Sequence, residues 1–479
     1  MGAGHYSPTT RNCVGDQRSR PRDRTLRNTS SLRKEFLMTN PHIVVVGAGF
    51  SGLVAARELH TAGFEVEVVE ARDRIGGRAW TDERMGHTLE MGATWVHWMQ
   101  PHVWSEITRY GQTIYPSPYT DQAYWVTNGE VRSGSEADID RLMERPMNAI
   151  FEGSKEFFPY PHNPLHVLSN EFDGPEEIRQ RFLAADQTSV LDILRQGDFS
   201  QEEIDLCDSY WSAGYIGDPN RGSSLMAKQW VALSDHRQSL MDDQTLRFKL
   251  TNGMRGIYQN IAQDLNCPLR LNTPVSKIRH DASSSVVTLE NGESIACDAV
   301  IVTVPLGALE NIEFEPGLPP AMRSVLKEKW NSTGCKTWIK IKGHHSIFGY
   351  APTPARGALL RSEYFLPDGD TICVCFGSQH DQVDVSDPKS AQKIVDQWRP
   401  DLEVVDCTGH DWVADKWSGQ AWATLKKGQF TNGWHHFHET GTRLRFAGAD
   451  WAQGWRGVVV DGAIETGLSA SRRLIRELA

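Results

Sequence analysis

His42-Ile43-Val44-Val45-Val46-Gly47-Ala48-Gly49-Phe50-Ser51-Gly52 is the stretch that decides the fold. Four β-branched residues in a row suit a strand buried on both faces. Gly47-Ala48-Gly49-Phe50-Ser51-Gly52 follows without a gap, then a helical pattern from Leu53 to Thr61 closed by Gly63. Phe64 to Val69 reads as a second strand and ends at Glu70. The whole is a βαβ unit of about 30 residues carrying the GxGxxG fingerprint in its required context. Gly47 permits the tight turn, Gly49 lets a pyrophosphate approach the backbone, and Gly52 lets helix and strand pack closely. The helix N-terminus offers free N–H groups and a positive dipole end to phosphate. Glu70 stands where a carboxylate accepts ribose hydroxyls.

Outward from this unit, the chain has 479 residues, room for two or three domains at about 150 residues each. Net charge is -11, with no long charged run beyond the first 40 residues, which argues against the basic face that nucleic-acid binding needs. The eight cysteines, Cys13, Cys207, Cys267, Cys297, Cys335, Cys373, Cys375 and Cys407, form no CxxC pair and suit reduced thiols in a cytoplasmic protein. No metal-ligand spacing occurs, and His435, His436 and His438 read as a solvated surface cluster. No run of ~18 apolar residues is present to span a membrane. Residues 1–37 hold eight Arg/Lys against three acidic residues and few apolar ones. Such a segment cannot fold by burial. It reads as an Arg-rich transit peptide or, as the favoured reading, as an over-extended start upstream of Met38.

The residues after Glu70 choose the cofactor. Ala71-Arg72-Asp73-Arg74-Ile75-Gly76-Gly77-Arg78 adds a second glycine pair and an arginine. A nicotinamide site has no need of them. An extended FAD does, and Arg78 is the candidate for a charge-assisted contact near its pyrophosphate.

Further motifs carry a resemblance. They are Glu90-Met91-Gly92-Ala93-Thr94-Trp95, Thr273 to Ile278, Asp298 to Pro305, Ile312 to Pro319, Phe446-Ala447-Gly448-Ala449-Asp450 and Asp461 to Gly467. Together with the βαβ unit they resemble the flavin monoamine oxidase superfamily, most of all the bacterial hydroxynicotine and monoamine oxidases, over nearly all of 41–479. The resemblance implies an α/β fold, with a Rossmann-like FAD-binding domain of the glutathione-reductase type interleaved with an α+β substrate-binding domain. Residues 41–110, 250–330 and 430–479 fall to the first; 111–249, read as mostly helical, and 331–429, read as strands, fall to the second. Residues 1–40 lie outside both. Ser285 to Leu289 and Glu293 to Cys297 read as a hairpin through Asn291-Gly292.

The implied reaction is hydride transfer from the α-carbon of an amine to flavin N5, giving an imine, then an aldehyde or ketone, with hydrogen peroxide. The implied FAD contacts are Gly47, Gly49, Phe50, Ser51, Gly52, Glu70, Ala71, Arg72, Gly77, Arg78, Gly92, Ala93, Thr94, Trp95, Val275, Gly448, Asp450, Val459 and Val460. Val275 holds the adenine through its backbone, Asp450 contacts the ribityl chain, and the helix after Asp461 points at the flavin N1/O2 edge, where negative charge grows on reduction. Lys336 matches the lysine that holds a water against N5. Trp422 matches one of two aromatic rings flanking the substrate amine. The other ring position departs from the pattern: in Trp455-Arg456-Gly457-Val458-Val459-Val460-Asp461 valine stands where an aromatic residue is usual, and Trp455 is the substitute wall unless the pocket is one-walled. Trp95 and His97 are expected to line the cavity. No cysteine lies near Trp422, so FAD is expected to be dissociable.

The expected partners are a small amine and oxygen, with homodimerisation left open and no nucleic acid or membrane. Aromatic or heterocyclic monoamines, nicotine-like alkaloids among them, suit a tryptophan-rich pocket; no acid is assignable to a distal ammonium. Competing readings keep the fold but desaturate a non-amine substrate, pass electrons to another acceptor, or retain the flavin without catalysis.

Overall fold

The computed structural model describes residues 40–478 apart from 439 and 442. The expectations for residues 1–37 lie outside that range. Five parallel strands form the nucleotide-binding sheet, in the order Leu269–Arg270, Glu65–Val69, His42–Val46, Ala299–Val302, Leu444–Phe446. Ile43, Val44 and Val45 are wholly enclosed, as a continuous β-branched strand in the middle of such a sheet must be. The helix Phe50–Thr61 leaves the first strand through Gly49, whose position as N-cap brings no side-chain acceptor to the first turn. Gly52 serves packing: a Cβ there would stand 1.9 Å from the Gly47 carbonyl oxygen. The C-terminal helix Val460–Leu478 packs beside this helix, tied by Ser51 Oγ and Thr466 Oγ1 at 3.3 Å.

A four-stranded sheet, Ser294–Cys297, Ser285–Leu289, Val275–His280 and Glu313–Glu315, includes the expected hairpin, with Gly292 in the left-handed region at the turn. A seven-stranded sheet runs Val404–Gly409, Cys335–Ile341, Thr371–Gly377, Leu359–Phe365, Ile347–Tyr350, Gln122–Thr127, Glu130–Gly134. Residues 111–249 are mostly helical, as expected, and the last two strands are additions to that reading. Gln122–Thr127 buries every second residue, which is the period of a strand and not of a helix. The helical expectations around it are also subdivided. Glu136–Phe151 ends before a separate turn Ser154–Phe157, and Glu176–Asp186 is separated from Val190–Gln196 by Ser189, which starts the second helix with a reciprocal capping box to Asp192.

The histidine cluster lies on the 3₁₀ turn Trp434–His438 and is half-buried rather than solvated, because His438 Nε2 bonds the Trp451 carbonyl at 2.5 Å. Loss of solvent holds His435 and His438 down near 4. Among the described residues, no helix is long and apolar enough to cross a membrane, and no three His, Cys, Asp or Glu side chains gather to hold a metal.

Candidate active site

A cavity of about 190 Å³ begins at the glycine turn and runs along the ends of the parallel strands. At its head Glu70 accepts the Ala48 N–H at 2.7 Å and the Arg72 N–H at 2.9 Å. These bonds aim the carboxylate and leave lone pairs free for ribose hydroxyls. Gly47, Gly49, Phe50, Ser51, Ala71, Arg72, Gly77 and Val275 line the same end. Arg78 follows. Its guanidinium donates to the Ala421 carbonyl at 2.6 Å and to Asp450 Oδ1 at 2.5 Å.

Further along, the backbone strip 90–94 forms one wall. Three successive carbonyls on it are held by side-chain donors from distant segments. Trp338 Nε1 donates to Glu90 O at 2.8 Å, Trp412 Nε1 to Met91 O at 2.9 Å, and Lys336 Nζ to Gly92 O at 2.5 Å. A strip so pinned offers a flat, rigid edge to a planar ring. The opposite end of the wall is Gly448, Val459 and Val460, the last opening the C-terminal helix. The uncapped helix start, the glycine cradle, the aimed Glu70 and this strip fit an extended FAD.

Lys336 lies in the strand Cys335–Ile341, fully enclosed, with its ammonium 5.1 Å from the Trp338 ring centroid. Two of its three N–H groups are spent, on Gly92 O and on Thr94 Oγ1 at 2.7 Å. The third is left for the cavity it lines. Burial pulls the ammonium down to about 7, against the raising influence of Glu90 and Glu363. Lys340 behaves as the ordinary strand lysine, pairing with Asp368 at 2.7 Å on the surface side.

A second cavity of about 100 Å³ adjoins the first, sharing Gly92, Ala93, Trp422, Val458 and Val459 with it. Trp422 stands at that neck, its indole N–H donating to Gly214 O at 3.1 Å. Thr94 and Trp95 face this second cavity and not the first.

Four expectations are corrected. Trp455 is wholly buried and lines neither cavity. The reason is local: Gly457 adopts φ 76°, and a Cβ there would meet Ala423 O at 2.1 Å, so the loop is pressed onto 423 and presents Val458 and Val459 instead. Of the two aromatic positions expected to flank the amine, Trp422 alone reaches the cavities. Asp450 does not face the cavity either. Its oxygens are taken by Arg78, by Leu306 N at 3.1 Å, by Trp330 Nε1 at 3.0 Å and by Gln420 Nε2 at 2.8 Å, so it positions the arginine. Gly52 lies behind the turn as a packing residue, outside the cavity lining. His97 is enclosed, stacked on Trp98 at 3.9 Å and accepting the Met99 N–H at 3.1 Å, and lines neither cavity.

Sequence reasoning missed Tyr210, Asp242 and Tyr350. Tyr210 and Tyr350 line the second cavity, and Asp242 sits behind Tyr210 at 2.5 Å. They come from three separate segments, and no spacing in the sequence links them.

Residues 50–475 match the model of flavin containing amine oxidoreductases, and residues 1–96 that of pyridine nucleotide-disulphide oxidoreductases. The chain belongs to the flavin containing amine oxidoreductase family. It is a FAD-dependent enzyme that oxidises amines. Among relatives of this family, pseudooxynicotine dehydrogenase of a Pseudomonas species is 31% identical over 88% of this chain and 84% of its own. (S)-6-hydroxynicotine oxidase of Paenarthrobacter nicotinovorans is 27% identical over 88% of this chain and 96% of its own. The family fold is seen in cyclohexylamine oxidase from Brevibacterium oxydans, which superposes with a TM-score of 0.75 at 21% identity, covering 92% of this chain and 99% of that one.

The separation of Trp422 from Trp455 leads to a paired expectation. Trp422→Ala removes the aromatic wall at the neck between the cavities and should lower kcat/KM for amines by about tenfold, the scale of a desolvated cation–π or stacking contact. Trp455→Phe should leave kcat/KM unchanged and lower only the melting temperature, as a core substitution does. Steady-state kinetics with thermal melts separates the two.

Proposed function

We propose that this enzyme oxidises a monoamine with a flat, aromatic or heterocyclic body, using oxygen as electron acceptor, with FAD held non-covalently. The observation that carries the reading is the neck between the two cavities, where the pinned strip 92–94, Lys336 and Trp422 meet. Bound FAD supplies the two-electron acceptor at that point; the protein supplies orientation and dryness. Trp422, Val458 and Val459 position the amine with its α-C–H toward the strip, and the apolar surround favours the uncharged amine. The amine loses two electrons and two protons to become an imine, which water hydrolyses to a carbonyl compound and ammonia or a smaller amine. Oxygen takes up the two electrons and two protons as hydrogen peroxide. The buried cation of Lys336 assists that second step.

Relatives named for pseudooxynicotine and hydroxynicotine support a ring-bearing substrate. We assign 41–110, 250–330 and 430–479 to the cofactor, and 111–249 with 331–429 to the substrate, the latter also lending Lys336 and Trp422 to the wall of the larger cavity. The enzyme works in the cytoplasm, an assignment supported by the scattered, buried thiols. Non-covalent FAD is supported by the lining of the larger cavity, which contains no cysteine, histidine or tyrosine.

The test is an anaerobic panel of amines added to the yellow holoenzyme, watching the flavin band near ~450 nm. Aromatic monoamines should bleach it, and air should restore it with peroxide release. Acid precipitation should leave the yellow colour in the supernatant. A panel that leaves the band intact would overturn the amine reading, and a coloured pellet would overturn dissociable FAD.

A further inference from the structure

The substrate cavity meets the larger cavity at the neck, and the larger cavity carries the Lys336 ammonium on its own wall. At the far end, among Trp230, Met241, Leu246 and Leu359, stand the side-chain hydroxyls of two tyrosines. Thr94 and Thr245 also line this cavity; Thr94 Oγ1 is held by Lys336, and Thr245 Oγ1 donates to Met241 O at 2.9 Å within its own helix, which leaves it an acceptor with no carboxylate behind it.

Tyr210, on the helix Gln201–Tyr215, gives its proton to Asp242 Oδ1 at 2.5 Å, on the helix Gln238–Leu246. Its oxygen is thereby left as an acceptor toward the cavity. Tyr350, on the strand Ile347–Tyr350, is only 6% exposed, and among the described residues its hydroxyl has no hydrogen-bond partner. That hydroxyl lines the cavity and is free to bond a ligand there. Asp242 acts electrostatically on both hydroxyls, and Asp140 and Glu136 add to it at Tyr350, where Arg361 is the one opposing charge. Loss of solvent raises the Asp242 carboxyl to about 7, so a cation arriving beside Tyr210 would draw it into its ionised form.

We propose that Tyr210, backed by Asp242, and Tyr350 form a distal subsite for a second, protonated nitrogen of the substrate. This rests on the amine-oxidase reading and replaces its monoamine with a substrate of two basic nitrogens, one of which is oxidised. The reacting amine lies uncharged at the Lys336 end, and a basic nitrogen across a short apolar spacer donates to the Tyr210 oxygen in the field of Asp242. An aliphatic ring amine and a basic heteroaromatic ring share this chemistry.

Matched pairs distinguish the sources and test the subsite. 4-(Aminomethyl)piperidine is compared with cyclohexylmethylamine, and 3-(aminomethyl)pyridine with benzylamine, in anaerobic flavin bleaching by the holoenzyme. The expected result is a preference of roughly tenfold or more in kcat/KM for the nitrogen-bearing member of at least one pair, the scale of a hydrogen bond to a charged group. Preference in the first pair alone identifies an aliphatic amine, and in the second a heteroaromatic one. In Asp242→Asn and Tyr210→Phe that preference should fall to near unity, with the flavin content and melting temperature of each variant reporting that it folds. Equal rates within both pairs, or a preference that survives both substitutions, would overturn the subsite and leave amine oxidation standing. No bleaching by either member of either pair would overturn the amine reading itself, and the subsite with it.

Discussion

Lys336→Met should slow the return of flavin colour in air about 100-fold, the cost of removing one preorganised charge from a dry site, while anaerobic bleaching by amine changes little. The asymmetry follows from the geometry. Lys336 touches the strip at Gly92 and Thr94 and lines the larger cavity, whereas the second cavity is walled by other residues. The protonated form is the one that assists, and burial has brought it down to about 7. Reoxidation by the native enzyme should therefore fall as pH rises through about 7, and the methionine variant should lack that transition. Glu90 supplies a further check. Its Oε1 is held by Met254 N at 2.7 Å and by Thr81 Oγ1 at 2.8 Å; burial raises its carboxyl, and in its ionised form it raises the lysine. Glu90→Gln keeps those bonds in reach and removes the charge, so the transition should move to lower pH. The strip itself survives Lys336→Met, because Thr94 Oγ1 still donates to Gly92 O at 3.0 Å. Stopped-flow reoxidation across a pH series reads all three. An identical rate and profile in Lys336→Met would remove the lysine from the oxidative step.

The parts of this molecule legible in the sequence are those built from neighbours in the chain. The first strand, the glycine turn, the helix and Glu70 lie within 42–70, and each local preference points the same way, so strand, cradle and carboxylate could be placed from residue types alone. Lys336 and Trp422 were read from motif context, and both line the larger cavity. What stayed hidden depends on contacts across hundreds of residues. Trp412 holding Met91, and Asp450 turned onto Arg78 instead of toward the cavity, leave no mark on any spacing. Trp455 misled because a tryptophan next to a glycine step looks like a wall. Which side it takes is decided by how Gly457 lies against Ala423, and no property of Trp455 itself records this. Tyr210, Asp242 and Tyr350 look like core residues of two helices and a strand until those elements are packed together.

Gly92→Ala tests the other half of the site, and the expected outcome is protein purified largely without FAD. The residue needs no unusual backbone angle, so the constraint is purely one of space. A Cβ at Gly92 would stand 1.7 Å from the Arg78 carbonyl oxygen and 2.9 Å from its carbon. Neither is the movable end of a side chain, so the 76–80 loop and the 90–94 strip must part. Those two segments are tied by Ala93 N to Arg78 O at 3.2 Å and by Met91 N to Trp80 O at 2.8 Å. Arg78 is in turn held to Asp450 and Ala421, and Lys336 to Gly92, so one methyl group disturbs the contacts at the pyrophosphate and beside the ring together. Overpacking of this kind costs about 1–3 kcal/mol, which alone is five- to over a hundredfold in cofactor affinity if the strain is relieved in the apoprotein. Gly317→Ala is the matched control, since nothing lies within 4 Å of a Cβ built there. Flavin content per polypeptide and FAD titration of the apoprotein read the difference. Gly92→Ala protein as yellow as the Gly317→Ala control would mean that the strip does not contact the cofactor.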